Sequence, residues 1–206
     1  MAIQFHKKIF AAFLLISVFI TAKAQLQTFK IEHKHSVVGF TVKIAGGLSE
    51  VDGSFGQFQG TVEYDPADMT KMKANIDISV TSVQTGQKGR DGHLQQEEFF
   101  FASQYPSITF SSVSVKKKGK DFVMTGPLTM RGVTKDVSIT FRRTHKDPIV
   151  SMNGVPSIFF EGETKVNRLD YGIKSTANWS RIVEATGELA MSDEITIHLR
   201  IVGEQR

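Results

Sequence analysis

Alternation of apolar and polar residues with period two runs through most of this chain. It constrains the fold more than any other feature, because only a strand sends successive side chains to opposite faces. In Met72–Val80 the residues Met72, Ala74, Ile76, Ile78 and Val80 alternate with Lys73, Asn75, Asp77 and Ser79. Ser36–Ile44 places Val38, Phe40, Val42 and Ile44 on one face, with Thr41 and Lys43 on the other. Phe58–Tyr64 repeats the pattern, and Phe55, out of phase with it, predicts a bulge or bend near Gly56. Further runs cover Ile108–Val115, Phe122–Met130, Val137–Phe141, Ile158–Val166, Ala185–Met191 and Ile195–Ile201. Lys116–Asp121 and Met191–Glu194 read as hairpin turns, and helices are expected over Asp65–Lys71 and Asp91–Phe101. With no βαβ rhythm, the pattern predicts one all-β domain, an antiparallel sandwich or barrel of roughly eight strands. A barrel of that size is filled by its own side chains or holds one small ligand, and the inward residues here make any cavity apolar.

The first residues stand apart. His6, Lys7 and Lys8 precede an apolar run from Ile9 to Ile20, and Ala22-Lys23-Ala24 follows, which is the pattern of a secretory signal peptide cleaved before Gln25. The run is short of the roughly 20 residues that span a hydrocarbon core, so a membrane-spanning anchor is not expected. Setting residues 1–24 aside leaves one domain, residues 25–206, with 22 basic and 21 acidic side chains. That balance carries no nucleic-acid footprint. The chain has no cysteine, which excludes disulfides, thiolate catalysis and cysteine-held metals. An exported protein is expected, periplasmic in a Gram-negative cell and secreted otherwise.

Four clusters bear on chemistry. His33 and His35, two apart at the start of a strand, could hold a metal with a third ligand, or be two surface histidines. Gly89-Arg90-Asp91-Gly92-His93 could make His93 a general base oriented by Asp91 beside Arg90, or could set Asp91 as a helix N-cap with Arg90 in an ion pair. Phe99, Phe100 and Phe101 could plug the core, wall a pocket for an apolar ligand or border a cleft; in a helix at most two of three consecutive residues face one core. Arg168 and Asp170 read either as a structural ion pair before a turn or as head-group contacts for a ligand. His145 and His198 are expected on the surface. No nucleophile elbow, phosphate loop or zinc-protease helix motif occurs.

Taken in order, several segments resemble the YceI family of lipocalin-like, polyisoprenoid-binding periplasmic proteins. They are Glu32 with His35-Ser36, Val51–Phe55 with Phe58, Arg90–Leu94, Phe99-Phe100, Tyr105–Phe110, Gly126–Lys135, Asn167–Ile173 and Ser192–Ile195. His33 departs from the small or proline residue expected there, and Asn178–Arg181 falls in a variable region. The Gly-x-Trp motif of true lipocalins is absent.

The resemblance implies an extended eight-stranded antiparallel barrel around an apolar tunnel for a long isoprenoid or fatty chain, with no established catalytic residues. On that reading the lining falls to Val38, Phe40, Val42, Phe55, Phe58, Ile76, Ile78, Phe99, Phe100, Phe110, Met124, Leu128, Phe141 and Phe160. Arg90, Asp91, His93, Arg168 and Asp170 stand as head-group or mouth candidates, and no cofactor other than a bound lipid is expected. At ~0.8 kcal/mol per buried methylene, two or three isoprene units supply the ~8 kcal/mol of micromolar binding after association costs. A non-enzymatic lipid carrier therefore leads. A lipid hydrolase or isomerase using His93 and Asp91, and a stress-related interaction module with a filled barrel, are the alternatives. A homodimer is one way to close exposed edges and tunnel mouths.

Overall fold

The computed structural model describes residues 26–145, 148–150, 154–174 and 191–205. Its strands are β1 (Gln27–Ile31), β2 (Val37–Ile44), β3 (Ser49–Phe55), β4 (Phe58–Tyr64), β5 (Lys73–Ser79), β6 (Val83–Gln84), β7 (Ser107–Ser111) and β8 (Ser114–Lys118). They continue as β9 (Asp121–Met130), β10 (Val133–Arg143), β11 (Ile149–Val150), β12 (Pro156–Asn167) and β13 (Met191–Gln205), with one α-helix, α1 (Lys88–Leu94), between β6 and β7.

These pieces make a closed eight-stranded antiparallel barrel, because several of them are halves of one interrupted strand. Along one edge of β13, β2 pairs from Val37↔Arg200 to Ile44↔Met191 and β1 pairs from Phe29↔Gln205 to Ile31↔Gly203. Ser36 patches the break between them, its hydroxyl donating to the Glu32 carbonyl and accepting from the Val202 N–H. β3 and β4 are likewise two parts of one path, as are β5 with β6 and β7 with β8. The β3/β4 break falls at Gly56-Gln57, where Phe55 changes phase. Such interruptions bend and twist a strand locally, which lets long strands wrap a narrow barrel. The ring closes where β12 pairs with β13 from Ser157↔Glu204 to Asn167↔Glu194.

One junction is short. β10 pairs with β9 from Val133 to Phe141, but with β12 only from Thr140↔Glu163 to Arg143↔Phe160 among the described residues. Beyond it the strands diverge, joined by the Thr164 hydroxyl on the Ser138 carbonyl at 2.9 Å.

The alternating residues face inward as their period dictates: Met124, Leu128 and Met130 of β9 are buried, and Gly126 stands in phase with them. A Cβ at Gly126 would lie 2.0 Å from the Ser111 carbonyl oxygen, so only glycine fits against the β7/β8 break. A run of rings packs one end of the barrel: Phe122 on Phe141, Phe141 on Phe160, Phe160 on Tyr64 and Tyr64 on Phe29, with centroids 5.8–6.2 Å apart.

Several local expectations are corrected. Asp65–Lys71 is a turn followed by a single 3-10 turn, Met69–Lys71, capped by Asp68; the Asp65 and Asp68 carboxylates accept from the Ala67 and Thr70 N–H groups and so hold two successive turns in place of a helix. The helix expected over Asp91–Phe101 is α1, which starts earlier, at Lys88, and ends at Leu94. Met191–Glu194 is no turn but the start of β13, with a register shift before Ile195 that accommodates its polar residues. The strand expected over Ala185–Met191 lies outside the described residues except for Met191, as do residues 1–24 and Asn178–Arg181.

Candidate functional site

Inside the barrel is a cavity of about 210 Å³. Val38, Phe40 and Val42 of β2 line it, with Phe55, Ile76, Ile78, Phe110, Met124, Leu128, Phe141 and Phe160 from strands around the ring and Phe99 and Phe100 from the segment after α1. Phe58 is buried in the core without reaching the cavity. Sequence reasoning passed over Val137, Val166 and the inward face of β13, Ile195, Ile197, Leu199 and Ile201, which also line it. Their alternation was legible; that they face the same space follows from ring closure. Asn75, Glu161, Thr164 and Arg168 are the polar residues at its boundary among the described residues.

Phe99 and Phe100 reach the cavity through a turn. The Phe100 N–H donates to the Leu94 carbonyl, and Phe101 takes a left-handed backbone conformation, φ 53°, that turns the chain outward. Phe100 stands against Phe55, while Phe101 packs on Tyr105 and lies under the Arg131 guanidinium. Arg131 also donates to the carbonyls of Glu97 and Phe99, which ties the segment to the β9–β10 turn. The three phenylalanines thus divide two inward and one out, through this turn and not through the helix that the sequence suggested.

Arg90, Asp91 and His93 line no part of the cavity. Asp91 is not the N-cap, a position held by Gln87; its carboxylate accepts from the Thr85 N–H and hydroxyl, both at 2.7 Å, and thereby fixes the chain before α1. Arg90 donates to the Thr85 hydroxyl and carbonyl rather than to an acid. His93, exposed, meets Glu98 at 2.7 Å and packs on the Phe99 ring from outside. Glu98 is held below the usual carboxylate range by its own backbone N–H and then by His93.

Arg168 borders the cavity, but its donors are occupied. It donates to the carbonyls of Ser192 at 3.0 Å and Ile173 at 2.8 Å, and pairs with Asp193 at 2.7 Å. The expected Arg168–Asp170 pair is replaced by this one: a 3-10 turn, Arg168–Tyr171, sends Arg168 inward and leaves Asp170 on the outside. Burial pushes the Arg168 guanidinium down from its ordinary value, with Asp193 opposing. His33 and His35 lie in a turn and not on a strand, so the same-face geometry is absent; His35 instead meets Glu32 at 2.8 Å. Among the described residues no three His, Cys, Asp or Glu side chains stand together as a metal site. His198 is half-exposed between Thr41 and Glu163, and His145 packs on Phe159.

A family model described as the YceI-like domain matches residues 29–203, nearly the whole barrel. The chain belongs to the YceI-like family. Protein YceI of Escherichia coli is 37% identical to it over 146 residues, 70% of this chain and 74% of that one. Burkholderia cenocepacia BcnA has a similar fold, with a TM-score of 0.70 at 22% identity over 84% of this chain and 98% of its own. A polyisoprenoid binding domain from Saccharophagus degradans, implicated in plant cell wall breakdown, superposes with a TM-score of 0.60 at 15% identity, over 88% of this chain and all of that one. In this YceI-like barrel no helix of the described residues is long and apolar enough to cross a membrane.

Proposed function

We propose that this protein binds the apolar part of a long-chain amphiphilic lipid, such as a polyisoprenoid, an isoprenoid quinone or a fatty amide, and carries or stores it without chemical change. The observation that carries this reading is the cavity, ringed by aliphatic and aromatic side chains from nearly every strand. Apolar burial supplies affinity in proportion to the chain length enclosed and needs few fixed polar groups. The position of His93, outside the cavity and engaged by Glu98, supports binding over catalysis. Residues 1–24 act as an export signal on this reading, and the protein works in the periplasm.

The test is to express the full chain, purify its exported form without detergent, and analyse an organic extract by mass spectrometry. A stoichiometric long-chain species, with an intact protein mass beginning at Gln25, is the expected result. A clean extract from folded protein that also takes up no added lipid overturns the proposal.

A further inference from the structure

An amphiphile has a polar end, and the cavity is lined almost wholly by apolar side chains. Arg168 has its charge matched by Asp193 and its donors placed on carbonyls, and the Thr164 hydroxyl is bonded to Ser138. The cavity is also small, since an apolar space of ~150 Å³ is what a single benzene ring takes. At about 210 Å³ it encloses a short stretch of a long chain, and the rest must lie elsewhere.

The diverging β10–β12 junction supplies a place. Outside it runs a groove of about 810 Å³ bordered by both strands and by the turn that follows β12. Val137, Phe141, Gly162, Thr164 and Val166 border the groove and the cavity alike, so the two spaces are separated by one thickness of side chain at this seam. Among the described residues five carboxylates border the groove, Asp121, Asp136, Glu161, Glu163 and Asp170, against the three cations Lys135, Arg142 and Lys165. Arg142 and Glu161 cancel as a pair and Lys165 is committed to Glu194, which leaves Asp121, Asp136, Glu163 and Asp170 against Lys135. Tyr171 also borders it, is 2% exposed, and keeps a buried hydroxyl with no hydrogen-bond partner among the described residues. Buried hydroxyls are normally bonded, so this one stands as an unsatisfied donor within the wall of an acidic groove.

We propose that the groove over the β10–β12 seam seats the polar end of the ligand, bonded by the Tyr171 hydroxyl, and selects an uncharged or cationic head over a phosphorylated one. This rests on the cavity holding the apolar tail, as proposed above. A phosphate brought here meets an excess of carboxylates, whereas an alcohol, carbonyl or amine does not. Burial, helped by the charge of Asp170, raises the Tyr171 pKa to about 12, so the hydroxyl keeps its proton at any physiological pH.

The experiment uses displacement of N-phenyl-1-naphthylamine from the purified, delipidated protein by four tails of one length: geranylgeraniol, geranylgeranylamine, geranylgeranyl diphosphate, and phytane, which has no head. The alcohol and the amine are expected to bind about tenfold tighter than the diphosphate. Tyr171→Phe should weaken the alcohol about fivefold, the worth of one hydrogen bond, and leave phytane unchanged. Asp136→Lys with Asp170→Lys, both on the surface, should close the gap to the diphosphate. Equal binding of alcohol and diphosphate overturns the inference. So does a Tyr171→Phe effect of the same size on phytane, which marks a packing role. If phytane itself displaces nothing, the lipid-binding reading falls and this inference with it.

Discussion

Phe100 meets Phe55 edge to face, with ring centroids 5.6 Å apart, so a segment outside the sheet is seated on the barrel wall. Phe55 in turn touches Phe40 at 5.9 Å, and all three rings border the cavity. Phe100→Asp would place a carboxylate there. The fluorescence enhancement of N-phenyl-1-naphthylamine should disappear, while the far-ultraviolet circular dichroism of the strands stays as it is, because Phe100 belongs to no strand. Undiminished enhancement in the folded variant would show that this ring does not wall the binding space.

Arg168 and Asp170 lie two apart and should behave as opposites. Arg168→Leu strips donors from three carbonyls, those of Ser192, Ile173 and Met191, and leaves Asp193 without its partner, at a cost of roughly 3 kcal/mol. Asp170→Asn should change stability by less than about 0.5 kcal/mol, as for most surface positions. Urea midpoints of the two variants decide the matter, and equal losses would restore the pairing that the sequence suggested.

Glu32 should make stability depend on pH in the acid range. Burial pushes its carboxyl upward, but the N–H groups of Lys34 and His35, with the His35 ring, more than offset this and hold it below the ordinary 4.5. A depressed pKa adds stability that is complete above about 4.5 and fades as pH falls through the folded value. Because the site is partly in water, the contribution is no more than about 1 kcal/mol. Glu32→Gln should therefore cost that much at pH 7 and progressively less below pH ~4.5, measured by denaturant unfolding. A loss independent of pH would assign the effect to shape alone.

Gly126 and Gly53 should fail differently when a methyl group is added. At Gly126 the obstacle is the Ser111 carbonyl at 2.0 Å, backbone that cannot step aside, and Gly126→Ala should cost several kcal/mol or abolish folding. At Gly53 the obstacle is the end of the Phe40 ring at 2.2 Å, a side chain that can rotate. Gly53→Ala should fold and bind a bulky probe more weakly, with Phe40 displaced. Equal thermal melts for the two variants would contradict this.

What the sequence disclosed was governed by period two. Alternation found the inward residues of β2, β5 and β9 because a pleated strand leaves no choice of face once one side is polar. It could not tell Phe58, in the packed core, from Phe55, on the cavity, since both are inward and large. Local rules failed where distant partners intervened. Asp91 looks like a cap, but Thr85 reaches it first; Arg168 looks paired to Asp170, but β13 brings Asp193 to it from 25 residues away. Ser192, Asp193 and Glu194 resemble a turn because they are polar, and they belong to β13 because Met191 pairs with Ile44 before them and Ile195 with Val42 after them, across a break in register.

A ring sealed all the way round offers no end from which to unravel. The brief β10–β12 ladder gives this one such an end: past Thr140 and Glu163 the amides of the two strands that face each other lack ladder partners among the described residues. Their hydrogens should trade with solvent deuterium sooner than those of the long β12–β13 ladder, in minutes where the latter hold for far longer. Mechanical weakness and chemical selectivity would then reside at one place on the wall, and an occupant of the groove would slow the exchange it sits against.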